Sequence, residues 1–409
     1  MKHRLLAAAL AFALGPLAVA AAADGEAPTD FAATKGASAE EQLKQRLLAR
    51  VRTIPGTDTQ FLIGGYLQVD GIASRKKQDG DEQDTFIVST TPFGAADRDY
   101  RGSIRQSQIN WVSRTPSKVG PFWARLEANL FPLDGTTAPT LNQLYVRWDE
   151  HLVVGKTYST FMDESALPTT LDYNGPSGVT FVRQTLVRGR VAIGKGWAIE
   201  AAVEDPQADL TAGDAARSVS TSAGRPDLAA RVRYESDRGH LQVAALSRRI
   251  DATATGPLGT AERRVDGTGV SVSGSVAFFD DDTLMFQAAT GKGVGRYFND
   301  PLSATGVALE RGGVGLELVR TSGATLYYQR KWSENWMSVA GASSLWVGTD
   351  GLRSPESLRR VVYASANLVH RLTPTLIVGM EALWGEATRV DGASATNVRL
   401  QISVRYLIF

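Results

Sequence analysis

From Phe61 to the C-terminus, apolar residues recur at every second position, and the positions between them carry charges of both signs. A period of two marks a strand with one apolar and one polar face. In the segment 123–131 (WARLEANLF), Ala124, Leu126, Ala128 and Leu130 fall on one face, and Arg125, Glu127 and Asn129 on the other. Leu144, Val146 and Trp148 oppose Gln143, Tyr145 and Arg147. Leu228, Ala230, Val232 and Tyr234 oppose Arg231, Arg233 and Glu235. Val398, Leu400, Ile402, Val404 and Tyr406 oppose Arg399, Gln401, Ser403 and Arg405. A helical bundle cannot carry this pattern. A polytopic helical membrane protein is excluded by the mean hydropathy of −0.14. That value leaves a membrane β-barrel open, because alternation averages near zero.

A soluble β-sandwich also alternates, but three features favour a membrane barrel. The polar faces carry paired charges strand after strand, which suits a wet lumen. The links alternate in length: 113–121, 149–150, 194–196, 236–239, 279–282 and 372–374 are short, whereas 74–102, 156–180, 205–226, 249–267 and 386–395 are long. Short turns on one side and long loops on the other is the outer-membrane pattern. Trp111, Trp123, Trp148, Trp197, Trp332, Trp336, Trp346 and Trp384 lie near strand ends, as interfacial girdles do. The chain ends in Phe409, as outer-membrane barrels commonly do. Sixteen or seventeen strands can be counted, depending on whether 312–332 is one strand or a hairpin. Even counts are the rule for single-chain bacterial barrels, so the expectation is an all-β, antiparallel, up-and-down transmembrane barrel of about 16 strands. A barrel of that size leaves an aqueous channel.

The N-terminus sets the compartment. Lys2, His3 and Arg4 precede an apolar run from Leu5 to Val19, and Ala20–Ala23 supply small residues before Asp24. This predicts a signal peptide over 1–23 and export. A linker and short helical stub are expected over 24–56, and the barrel over 57–409. Within the stub, 38–52 (SAEEQLKQRLLARVR) opens on a capping box, Ser38 with Glu41, and places Leu43, Leu47, Leu48 and Val51 on one face. A short trimeric coiled coil and a frayed spacer both fit a helix of that length.

Enzyme chemistry has little to stand on. His3 leaves with the signal, and His151, His240 and His370 are isolated in sequence. There is no H-E-x-x-H, no G-x-S-x-G and no phosphate-binding G-x-x-x-x-G-K-[ST]. A His–Asp or Ser–His site assembled across strands stays open as an alternative. Two acidic runs, Asp79/Asp81/Glu82/Asp84 and Asp280–Asp282, lack EF-hand spacing and read as solvated loops. With no cysteine there is no disulfide. No metal or cofactor is expected. A net charge of +1 argues against a nucleic-acid partner.

The chemistry-bearing residue is arginine: 34 Arg against 10 Lys. Its planar fork pairs carboxylates bidentately and stays charged. Alternation points Arg125, Arg147, Arg188, Arg190, Arg231, Arg233, Arg399 and Arg405 into the lumen, where rings of Arg select anions. Glu127, Glu200, Glu204, Glu235 and Glu381 share that face and neutralise some of them. The segment 156–180 carries Phe161, Met162, Leu167 and Leu171, too apolar for a fully solvated loop. Folded inward, it would narrow the pore and bring Asp163, Glu164 and Asp172 to the Arg wall. Packed on a neighbouring subunit, it would bury the same side chains.

The stretches IPGTDTQFLIGGYLQVDG (54–71), SIRQSQINWVSRTPSKVGPFWARLEANLF (103–131), GKTYSTFMDESALPTTLDYNGP (155–176) and FVRQ (181–184) resemble the DcaP-like outer-membrane porins. The resemblance spans essentially the mature chain and is strongest over 54–184. It implies a trimeric sixteen-stranded channel in the outer membrane, in contact with its lipid, that passes small anions, notably dicarboxylates. Carried over on matching positions are Arg105, Arg125, Arg147, Lys156 and Arg183 as pore residues and Asp163 in the inward loop. The reading is an outer-membrane porin for small hydrophilic, anionic solutes, with a general weakly selective porin and a barrel-borne enzyme as alternatives.

Overall fold

Sixteen antiparallel staves close on themselves. The computed structural model describes residues 49–80, 84–132, 135–206, 210–211, 218–223, 225–256, 259–279, 282–300, 307–309, 316–348 and 354–408. The staves are β1 (Gln60–Ser74), β2 (Asp99–Ser103 continued by Gln108–Thr115), β3 (Phe122–Asn129), β4 (Thr140–Trp148), β5 (Leu152–Tyr158), β6 (Arg183–Gly194), β7 (Trp197–Glu204) and β8 (Ser218–Ala223 continued by Asp227–Ser236). They continue as β9 (Gly239–Gly256), β10 (Gly259–Phe278), β11 (Asp282–Lys292), β12 (Arg320–Lys331), β13 (Trp336–Val347), β14 (Leu358–Arg371), β15 (Leu376–Arg389) and β16 (Ser394–Ile408). Each pairs with its sequence neighbours, and β1 pairs with β16 from Gly65↔Ile408 to Ser74↔Arg399. Closure leaves no open edge, which a bilayer demands because an unpaired backbone group there costs several kcal/mol. Among the described residues no helix is long and apolar enough to cross a membrane.

The outward faces form an apolar band. Ile63, Leu67 and Val69 on β1, Val187 and Val191 on β6, Val270 and Val272 on β10, and Leu400, Ile402 and Val404 on β16 are all exposed. Phe122, Trp197, Tyr234, Phe279, Trp332, Trp336 and Tyr406 sit exposed at the short-turn end, an interfacial belt. About nine to eleven tilted residues cross a bilayer. β3, β4 and β5, with 8, 9 and 7 residues, are at the short limit. β9 and β10, with 18 and 20, project well beyond it at the long-loop end. Their outer stretches expose ion pairs, Arg249–Asp266 at 2.8 Å and Arg264–Asp251 at 3.0 Å. Those pairs mark where the wall leaves lipid for water.

Several expectations change. The segment 249–267 is not a loop but the two arms of the β9–β10 hairpin, paired up to Gly256↔Gly259. Its Arg249–Asp266 and Arg264–Asp251 pairs lie on the outer face of the projecting part, where lipid would otherwise demand apolar residues, so no apolar alternation betrays it. Similarly, Ser218–Ala223 adds to β8 inside the stretch expected to be a loop. The segment 312–332 supplies one stave, β12; ahead of it Leu316–Leu318 pairs with Val307–Leu309, which pairs in turn with Leu210–Thr211. Trp123 does not join a girdle. It faces inward, buried between Arg114 and Arg147. The signal peptide and most of the helical stub lie outside the described residues. Arg52 and Thr53 pair with Phe61 and Gln60.

Candidate functional site

One side of the lumen is lined by loops that pack on the wall. The inner faces of β11–β15 carry large apolar side chains among a few polar ones: Met285, Tyr327, Val339, Leu345, Val361, Tyr363, Val369 and Leu383 are buried there. Phe86 and Val88 from the loop after β1, Phe161 and Leu171 from the loop after β5, and Val294, Tyr297 and Phe298 from the loop after β11 pack against them. Lumen-facing glycines make the seats. A Cβ at Gly379 would meet Leu171 at 2.9 Å, one at Gly269 would meet Phe161 at 3.2 Å, and one at Gly385 would meet Phe86 at 3.1 Å. At Gly323 a Cβ would run into the carbonyl of Gly178, so the loop backbone itself lies against the wall. Sequence reasoning pointed to one inward loop; two others escaped it because their aromatics sit among charged and glycine-rich stretches without periodicity.

The loop 159–182 crosses the lumen on polar anchors. Its Asp163 is 1% exposed and bonded to Arg233 at 3.0 Å, His240 Nε2 at 2.7 Å and Ser273 Oγ at 2.8 Å. Further along, Glu381 accepts the backbone N–H groups of Leu171 and Asp172 at 2.7 and 2.8 Å, and Asn367 donates to the carbonyl of Thr169 at 2.8 Å. The return limb is held by Gln287, which accepts from the Thr180 N–H at 2.8 Å. The anchors thus lie on β8–β10, on β14–β15 and on β11. His240 Nδ1 also lies 3.0 Å from Ser275 Oγ. The resulting Ser–His–Asp run resembles a relay, but Asp163 is already bonded by Arg233 and Ser273. It acts as a loop clamp.

Carboxylates join the loops to one another. Asp172 accepts from the Phe86 N–H at 2.8 Å and lies 3.8 Å from Arg399. Asp300 accepts from Ser177 Oγ at 2.8 Å and from the backbone and hydroxyl of Ser89. Burial pushes Asp172 up to about 6, against the pull of Arg399, and pushes Asp300 up to about 6 as well. For Asp163 burial acts the same way, but the His240 hydrogen bond and the Arg233 charge overcome it and hold the carboxyl well below the usual carboxylate range. A carboxyl raised in the folded state stabilises loop packing at pH below its free value near 3.8, and that contribution is lost as pH rises through about 6. Amide exchange at Phe86 and Ser89, corrected for intrinsic rate, is therefore expected to slow roughly tenfold from pH 8 to pH 5. Asp300→Asn should flatten the Ser89 response; a pH-independent wild type would contradict the assignment.

The other side of the lumen carries the charge. Arg114, Trp123, Arg147, Val153 and Arg188 are successive cross-strand partners on the inner face from β2 to β6. In the row next to it on the short-turn side, Arg190, Glu200 and Arg231 are partners across β6, β7 and β8. Arg114 and Arg147 stack on opposite strands beside Trp123, 5.7 and 5.3 Å from its ring. Glu200 is held by Arg231 at 2.7 Å and by Arg188 and Arg190 at 3.3 Å each. The result is a track of guanidinium groups along one wall. Arg114 and the anchoring part of Glu200 were missed by the sequence reading, since alternation gives facing but not neighbours.

The remaining candidates divide. Arg125 faces the lumen, paired with Glu127 at 2.7 Å. Arg233 joins Asp163 and Glu235. Arg405 donates to Gln68 at 2.7 Å and stacks over Tyr66. Arg183 lies beside the Tyr158 and Phe181 rings where β6 begins. Arg105 and Arg399 are buried beneath the loops: Arg105 bonds Asp84 and covers Phe131, and Arg399 donates to Ser74 and Gln78. Both are loop supports rather than lumen surface. Lys156 is a correction. It pairs with Leu144 and Thr185 on the outward face, and its Nζ donates to the Leu141 carbonyl at 2.8 Å. Alternation from the exposed Val154 already placed it there. Phe161 is fully buried, and Glu164 follows Asp163 in a short 3-10 turn, Glu164–Ala166. Among the described residues no cluster of His, Asp and Glu could hold a metal ion. Asp84 and Asp282, from the acidic runs, are engaged by Arg105 and Arg330.

Known structures share this architecture. The fold is similar to the outer membrane channel DcaP of Acinetobacter baumannii, at 16% identity and a TM-score of 0.76 over 87% of this chain and 99% of that one. It is similar to an anion-selective porin from Comamonas acidovorans, at 11% identity and 0.54 over 86% of this chain and 100% of that one. OmpT of Vibrio cholerae gives 11% and 0.53, over 87% and 100%. No curated protein matches the chain. A closed barrel with a charged lumen track, and a match of residues 53–354 to the porin subfamily, together show that the chain belongs to that subfamily, an outer-membrane channel rather than an enzyme by family and fold.

Proposed function

We propose that this porin passes small anions, dicarboxylates among them, by passive diffusion along the arginine track and past the inward loop. The observation that carries the reading is charge balance: along the two inner rows, Arg114, Arg147, Arg188, Arg190 and Arg231 face one carboxylate, Glu200. An anion meeting several guanidinium groups in sequence is attracted without being trapped, which is what conduction requires. Size exclusion comes from the loops that line the β11–β15 side. Export on residues 1–23, a helical stub within 24–56 and assembly as a homotrimer complete the proposal. The short staves β3–β5 present Leu144, Val146 and Val154 outward and suit a subunit contact as well as lipid.

Planar-bilayer recording in a KCl gradient tests it. The reversal potential is expected to show anion preference, steps are expected in threes, and added succinate is expected to block. Replacing Arg125 and Arg147 by Ala should reduce the preference. An unbiased reversal potential in the wild type would leave a general, weakly selective porin, a reading favoured by the number of pore arginines already paired with acids, such as Arg125 with Glu127.

A further inference from the structure

Glu200 is surrounded by like neighbours in an unusual way. Its side chain is 3% exposed, covered by Arg231, Arg188 and Arg190, whose own side chains are 14%, 15% and 32% exposed. Arg231 reaches the same Oε2 through both Nε, at 3.0 Å, and a terminal nitrogen, at 2.7 Å. Arg190 approaches Oε1 at 3.3 Å and remains the most open of the three. Arg231 also donates to the Met162 carbonyl at 3.2 Å, which ties the cluster to the inward loop.

We propose that Glu200 is a resident competitor: it occupies the carboxylate seat that the three arginines form and thereby sets how weakly a passing carboxylate is held. The proposal rests on the anion-channel reading above. A solute carboxylate reaching this point meets guanidinium groups that already have a partner. Its binding exchanges one charge-assisted pair for another, so the net gain is small and release is fast. Without Glu200, three positive groups would keep only backbone carbonyls, of Met162 for Arg231 and of Tyr158 for Arg188, and lose the carboxylate they share. The solute would then supply the only carboxylate and be held far longer. Glu200 therefore trades affinity for throughput in a channel whose attraction comes from arginine.

The test is single-channel recording of the full-length protein with added succinate, on wild type, Glu200→Gln, and the double variant Glu200→Gln/Arg190→Gln. In Glu200→Gln the succinate residence time is expected to lengthen about tenfold, the equivalent of about 1.4 kcal/mol. The double variant restores the cluster's net charge, so its KCl reversal potential should return toward wild type while succinate residence stays long. A double variant whose residence also returns to wild type would overturn the competitor role and leave Glu200 as a charge term only. Unchanged residence in a Glu200→Gln variant that still shows heat-modifiable gel mobility would overturn it outright. A wild type without anion preference would instead sink the anion-channel reading on which the proposal rests.

Discussion

Asp163→Ala is expected to release the inward loop and raise both conductance and open-channel noise. The carboxylate sits at the point where the loop meets β8–β10, and three wall residues converge on it: Arg233, His240 and Ser273. Its removal leaves the His240 imidazole facing a hole and Arg233 with the exposed Glu235 as its remaining carboxylate partner, a loss of roughly 3 kcal/mol, the low end for a broken buried pair. The barrel does not share that loss. Its closure rests on ladder bonds between β1 and β16 and around the ring. Heat-modifiable mobility should therefore persist while the 159–182 segment becomes accessible to protease. A variant with unchanged conductance and an intact loop would show that the Glu381, Asn367 and Gln287 anchors suffice.

The second large effect is on sign. Replacing Arg188, Arg190 and Arg231 together by Gln leaves Glu200 without its partners and moves the cluster from a surplus of two positive charges to one negative. Two unit charges about 4 Å apart interact by about 1 kcal/mol even at the dielectric of water, and by more in a confined lumen. A change of three charges on one wall is thus large against thermal energy. The reversal potential in a KCl gradient is expected to pass through zero toward cation preference. Retained anion preference would locate selectivity elsewhere, with Arg114 and Arg147 beside Trp123 as the next place to look.

Most of the wall could be read in advance, because lipid outside and water inside impose opposite demands on alternate residues. Leu144, Val146 and Trp148 against Arg147 is such a case. Reading failed where one of those demands lapses. The projecting part of β9–β10 has water on its outer face too, so Arg249, Asp266, Asp251 and Arg264 carried no strand signal. Trp123 looked like a girdle residue by position, yet its ring is needed between two lumen arginines. Lys156 was carried over by family resemblance against its own alternation. For the site, sequence gave the facing of Arg188, Arg190, Arg231 and Glu200 but not their convergence, which depends on the pairing of three separate staves. The anchors of the loop 159–182 lie far away in sequence, Arg233 and His240 70 and 77 residues from Asp163, and Ser273 110, and no local pattern announces them.

The wall from β12 to β15 carries large apolar side chains on both faces, with Val361 and Tyr363 inward and Leu368 and Trp384 outward, and its inner polar residues are mostly small hydroxyls such as Thr325, Ser343 and Ser365. Elsewhere in the barrel a slip of one residue would turn charges into lipid and is forbidden by that cost alone. Here a slip would exchange many apolar and small side chains for others like them, and hydrophobicity gives weaker guidance to the register than on the charged side. The few inward positions that are not interchangeable must supply it. Gly379 and Gly385 fit only beneath Leu171 and Phe86, and Glu381 and Asn367 fit only opposite the loop backbone they bond. The loops that narrow the channel thus also act as the gauge by which this part of the barrel is threaded.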